Sequence, residues 1–154
     1  QAAMIAAIYA VLTLILQPFS FRAVQLRVSE ALTLLPILTV DAIPGLFVGC
    51  LLANFLGGAA WYDVVFGSLA TLIAAILTRK LRNHFVPASL MPVLLNGLIV
   101  GPVVYFAYNY AGTFSLPLLL MDMGRDAIGE QLACCVLGAV LIYALKKTPQ
   151  PLWA

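Results

Sequence analysis

Three carboxylates, Asp122, Asp126 and Glu130, recur at four-residue spacing and so fall on one stripe of a helix. In an apolar run such a stripe must face protein or water rather than lipid. Arg125 lies beside it and is placed to partner an acid. Asp122 and Asp126 equally suit capping and solvating a helix start, where negative charge complements the macrodipole. Glu130, roughly two turns further in, is expected to bind or to pair. A second group lies at residues 25 to 36, Gln-Leu-Arg-Val-Ser-Glu-Ala-Leu-Thr-Leu-Leu-Pro, where Arg27 and Glu30 stand between two apolar segments. Charges placed where water is scarce tend to pair or to recognise something, so this stretch is read as an ion-binding or substrate-binding loop.

Further polar groups are spread along the chain. Asn96, Tyr105 and Asn109 flank Gly101-Pro102, and Pro102 frees the carbonyl of Leu98 and permits a bend or opening there. Tyr105 and Asn109 share a helix face and are suited to lining one cavity, although tyrosines also anchor helices at the membrane interface. The run Gly-Gly-Ala-Ala-Trp-Tyr-Asp sets Trp61 and Tyr62 beside flexible backbone, with interfacial anchoring again the alternative. Asn54 suits an interhelical hydrogen bond as well as a ligand contact.

No G-x-x-x-x-G-K-[ST] phosphate loop, H-E-x-x-H or G-x-S-x-G occurs, and the single histidine, His84, falls in a basic connector. Enzymatic activity is therefore not expected. Cys50, Cys134 and Cys135 lie in apolar runs without a C-x-x-C pair, so they read as packing residues and give a membrane redox enzyme little to work with. No metal site is expected.

The elements that must position these groups follow from composition. The 154 residues are 64% hydrophobic and 9% charged, with a mean hydropathy of +1.06; a soluble domain carries about 25% charge. This is an all-α integral membrane protein, long enough for one transmembrane domain over 1–154. A net charge of +2 without a basic stripe makes nucleic acid an unsuitable partner. The chain opens at Gln1, so a few residues are expected to precede it, and no basic leader marks a cleaved signal. Spans of about 20 apolar residues are approached at Ala2 to Phe19, Ile43 to Ala60, Val64 to Thr78, Val86 to Tyr110 and Met123 to Leu145. A sixth stretch, Leu32 to Ala42, is short and interrupted by Pro36, and its status decides the topology. Arg79, Lys80 and Arg82, and then Lys146 and Lys147, should face the cytoplasm. If the short stretch crosses, six helices run with both termini cytoplasmic and three outer loops lie at Phe21 to Ala31, Gly57 to Asp63 and Ala111 to Asp122. In the first helix Ala2, Ala3, Ala6, Ala7 and Ala10 repeat at four-residue spacing, a flat stripe suited to packing inside the bundle or to docking a partner.

The chain resembles the queuosine-precursor transporter family, QueT, a substrate-binding S component of energy-coupling factor (ECF) transporters. The likeness rests on Ala-Ala-Ile-Tyr-Ala-Val-Leu-Thr at 6 to 13, the 25 to 36 stretch, and Ile-Pro-Gly-Leu-Phe-Val-Gly-Cys-Leu-Leu-Ala-Asn at 43 to 54. It implies a six-helix S-component bundle, one helix short or kinked, with a pocket near the outer face. Its implied partners are a transmembrane coupling protein and two ATPase subunits, which would hold the ATP and magnesium; this chain would need no cofactor. The implied ligand is a 7-deazaguanine base or its nucleoside. Glu30 or Glu130 would then accept from its donor edge, Arg27, Asn96 or Asn109 serve its carbonyl, and Trp61, Tyr62 or Tyr105 stack on the ring. Asn54 and Asp126 complete the candidate set. Two other readings stay open: an S component for another vitamin, and a small proton-coupled drug exporter working through Glu130.

Overall fold

The computed structural model describes residues 1–16, 27–108 and 114–147, and among these every regular element is helical. They are α1 (Ala2–Ile15), α2 (Val28–Ile37), α3 (Ala42–Leu56), α4 (Trp61–Lys80), α5 and α6. α5 joins Phe85–Leu95, a π-helical turn at Asn96–Val100 and Gly101–Tyr108, while α6 joins Leu116–Gln131, a π-helical turn at Leu132–Gly138 and Ala139–Lys146.

The elements differ from the sequence expectation in extent. α2 begins at Val28, so Glu30 stands in the first turn of a helix rather than in a loop, and Ala42 belongs to α3. α4 begins at Trp61, and α6 begins at Leu116, so Asp122 lies beyond the helix start and does not cap it. Three stretches are long and apolar enough to cross a bilayer, Trp61–Lys80, Phe85–Val103 and Leu116–Lys146, while α1, α2 and α3 are shorter. α2 is wound as a 3-10 helix. At about 2.0 Å per residue, against about 1.5 Å for an α-helix, that winding stretches a short segment across more of the membrane. Its carbonyls find side-chain donors. Thr33 Oγ1 and Cys134 Sγ both donate to the Glu30 carbonyl, and Arg79 Nη1 donates to those of Pro36 at 3.0 Å and Ile37 at 3.3 Å.

The same accounting explains the prolines. Pro92 has no N–H for the Ala88 carbonyl, and Thr78 Oγ1 of α4 supplies the missing donor at 3.1 Å. Pro102 follows the π-helical turn Asn96–Val100 with Gly101 between them, the irregularity expected where it releases the Leu98 carbonyl.

Contacts fix the direction of each element. Gly45 faces Ala2 and Ile5, and Gly49 faces Ala6 and Tyr9, so α1 and α3 run the same way and α2 returns between them. A buried cluster of Leu34, Ile37, Ala88 and Ile142, with Leu81 against it, gathers the ends of α2, α4 and α6 and the start of α5. Six elements thus alternate in direction, and Arg79, Lys80, Lys146 and Lys147 share one end. The flanks carry exposed apolar side chains such as Met4, Ile8, Phe55, Leu98, Ile128 and Val140, the surface of a protein that meets lipid. It is a multi-pass membrane protein.

Candidate functional site

At the end opposite the basic residues, α1, α2, α3, α4 and α6 bury a polar cluster. Arg27, immediately before α2, sends Nη2 to 3.6 Å from Asp63 Oδ2 in the first turn of α4, and both residues are buried. Glu30, one helical turn from Arg27, accepts a short hydrogen bond at Oε1 from the Tyr9 hydroxyl of α1. Glu130 of α6 is buried in the same cluster. Cys134 Sγ lies 3.3 Å from Glu130 Oε1 and 3.1 Å from Thr33 Oγ1, which ties α6 to α2. On the far side of Glu30, Ser29 Oγ and Thr13 Oγ1 are 2.6 Å apart.

Close packing of small residues brings these groups together. Tyr9 reaches inward because Gly49 has no side chain; a Cβ there would stand 2.9 Å from Tyr9 Cβ. Gly67 does the same for Asp63: a Cβ at 67 would lie 3.0 Å from Asp63 Oδ1 and 3.3 Å from Asn54 Nδ2. Asn54, wholly buried on α3, donates from Nδ2 to the Asp63 carbonyl at 3.4 Å. Glu30 Oε2, Asn54 Oδ1 and Asp63 Oδ1 are buried with no hydrogen-bond partner among the described residues. Buried acceptors are normally satisfied, which makes these three the candidate contacts for a donor.

The structure therefore assembles four of the sequence candidates, Arg27, Glu30, Asn54 and Glu130, into one cluster. Arg27 is buried rather than at the outer surface. Glu130 is not the only carboxylate inside the bundle, since Glu30 and Asp63 are equally enclosed. Other candidates stand apart. Trp61 is 71% exposed and meets Tyr62 at a ring-centroid distance of 5.0 Å. These two rings, with Phe66, Pro102, Val103 and Phe106, line an apolar groove of about 290 Å³ on the flank between α4 and α5. The Tyr105 hydroxyl accepts from the Ser115 backbone N–H at 2.6 Å, so it anchors the start of α6. Asn96 is buried in the π-helical turn. Arg125 pairs with Asp122, Nη1 to Oδ1 at 3.6 Å, on a partly exposed face. Asn109 and the side chain of Asp126 lie outside the described residues. In α1, Ala6 and Ala10 are buried against α3, whereas Ala3 and Ala7 stay exposed and Ala2 is partly so.

Asp63 and Tyr9 are the ionisable members of the cluster, besides Cys134, that sequence reasoning missed. An acid four residues before Gly67, at the head of a long apolar helix, was the available signal for the first. The second had only a hydroxyl in an otherwise apolar face.

The model of the QueT transporter family matches residues 1–147. A protein of Lactococcus lactis subsp. cremoris (strain MG1363), described as queuosine precursor transporter QueT, is 30% identical over 154 residues, covering 94% of this chain and 89% of that protein. No solved structure matches. A family match across nearly the whole chain, on a multi-pass bundle with a buried polar site, leads to one assignment: the chain belongs to the QueT transporter family.

Proposed function

We propose that this protein is the substrate-binding subunit of an ECF-type importer, and that it takes a queuosine precursor, a 7-deazaguanine base or its nucleoside, from outside the cell. The observation that carries this reading is the surplus of buried acceptors at Glu30 Oε2, Asn54 Oδ1 and Asp63 Oδ1. A guanine-like edge presents adjacent N–H donors and one carbonyl. Glu30 accepts from the donors in a charge-assisted geometry, and Arg27 serves the carbonyl. Asn96, Asn109, Asp126, Tyr62, Trp61 and Tyr105 remain proposed lining residues, with the groove holding Trp61 and Tyr62 flanking the ring's approach. Family membership supports transport as the outcome of binding.

Orientation follows from charge. The end bearing Arg79, Lys80, Arg82, Lys146 and Lys147 faces the cytoplasm, both termini lie on that side, and the polar cluster opens outward. A coupling protein docks on the exposed Ala3 and Ala7 of α1, with Ala2 at its margin; Ala6 and Ala10 serve internal packing. ATP and magnesium are bound by two ATPase subunits. Calorimetric titration of the purified chain with queuine and its 7-deazaguanine precursors tests the ligand. Saturable binding of these bases is expected, whereas binding of riboflavin or thiamine with none of the bases would overturn the assignment.

A further inference from the structure

We propose that the basic end of the seam between α5 and α6 seats an anionic phospholipid, its phosphate held between Arg82 and Lys146 with Lys147 beside them. This surface lies at the far end of the bundle from the polar cluster and is independent of what that cluster binds. Packing brings two basic groups distant in sequence together there. Ala88 of α5 and Ile142 of α6 are buried in one cluster with Leu34 and Ile37, and Leu81 packs against it. Lys146 stands one turn beyond Ile142 on the same face of α6, so it rises over that cluster. Thr78 Oγ1 donates to the Ala88 carbonyl, which marks the side of α4 turned to α5. Arg82 follows Thr78 by one turn, its backbone N–H on the Arg79 carbonyl. Two cations from different elements thus converge on one seam. Lys80, two residues beyond Thr78, falls on the opposite side of α4, and Arg79 is turned to the Pro36 and Ile37 carbonyls of α2.

Converging like charges repel unless an anion stands between them. Among the described residues the ion pairs join Arg27 to Asp63 and Arg125 to Asp122, both at the other end. Asp41, the acid between α2 and α3, is exposed and pairs with none of these cations. Arg82, Lys146 and Lys147 are exposed as well, so an anion can reach them. Their surroundings select a lipid over a soluble anion. Phe85 and Val86 at the start of α5, and Val140 and Tyr143 on α6, are exposed apolar or aromatic side chains below the cations, a surface against which acyl chains lie. Lys147 Nζ stands 4.4 Å from the centroid of the Tyr143 ring. That cation–π contact holds the ammonium at the depth where aromatic rings meet headgroups. A phospholipid satisfies the cations and the apolar flank together, whereas a free phosphate satisfies only the cations. Cations at the membrane surface attract anionic lipids strongly at short range.

The test places the full chain in phosphatidylcholine vesicles at about 0.15 M salt, where attraction beyond about 8 Å is screened. Electron spin resonance reads the motionally restricted fraction of spin-labelled phosphatidylglycerol against that of spin-labelled phosphatidylcholine. The anionic lipid is expected to associate at least about fivefold more strongly and to saturate. Arg82→Gln and Lys146→Gln are each expected to lower that preference by at least about half, while Lys80→Gln, which removes the same charge, leaves it unchanged. Inorganic phosphate added at constant ionic strength is expected not to displace the lipid. Equal association of the two lipids with the unmodified protein overturns the inference, and this comparison decides even where a variant fails to fold. An equal loss in all three folded variants also overturns it, because a diffuse positive field would then replace a seat. Displacement by inorganic phosphate would assign the cations to a free anion and overturn the lipid.

Discussion

Glu30 is the residue on which the site turns, because three elements reach it: α1 through Tyr9, α6 through Cys134, and its own helix through Thr33. Glu130 is buried in the same cluster on a different element, α6, so the two acids are separable by substitution. Glu30→Gln and Glu130→Gln are expected to have unequal effects on ligand affinity, at least one losing about 1.5–3 kcal/mol, the worth of a hydrogen bond to a charged group. Titration beside thermal unfolding of each variant checks this, and two variants that fold and bind like the parent would place the pocket elsewhere. Arg27, Glu30 and Glu130 were legible in the sequence because a charge in an apolar chain has few innocent explanations. Asp63 was not, because an acid next to Trp61 and Tyr62 reads as part of an interfacial loop. Only the start of α4 at Trp61 turns the acid inward and the indole outward. Tyr9 depended on the packing of α1 against Gly49, which no local pattern announces.

At the scale of elements, the irregular helices are what hydropathy could least convey. The apolar run around Pro36 announced a short crossing, but its 3-10 winding follows from the donors offered by Thr33, Cys134 and Arg79, two of them distant in sequence. The bend near Pro102 was legible because proline removes a donor wherever it stands. Close approach of α5 and α6 depends on Gly101, where a Cβ would stand 2.7 Å from Met123 Cα. Gly101→Ala is therefore expected to push the helices apart and cost about 1–3 kcal/mol; a thermal midpoint equal to the parent's would argue against that contact. The stripe on α1 divides in two. With Ala6 and Ala10 buried, enlarging them would damage the bundle, while Ala3→Trp and Ala7→Trp alter only the exposed face. These two variants are expected to keep ligand affinity and lose ATP-driven uptake in vesicles holding the whole complex, since helices meet closely only through small side chains. Unchanged uptake in both would remove the docking role.

For the whole molecule, the alternation of six elements places both described ends of the chain and the basic clusters together, and the polar cluster at the other end. The sequence had left this open on the status of a single short segment. Contacts between Gly45 and α1 and between Ile37 and Ile142 settle the directions, which hydropathy cannot do for ten residues. Ser20→Cys, in a background without the native cysteines, lies between α1 and α2 and is expected to react with an impermeant maleimide from outside the cell; labelling from the cytoplasmic side alone would reverse the orientation. The central claim is that this chain recognises its ligand but does not itself drive transport. Its most direct test is accumulation of labelled 7-deazaguanine in vesicles that contain either the chain alone or the chain with the coupling protein and ATPase subunits. The chain alone is expected to bind without accumulation, and the full assembly to accumulate the base only with ATP. Accumulation by the chain alone under a proton gradient, without ATP, would contradict the account.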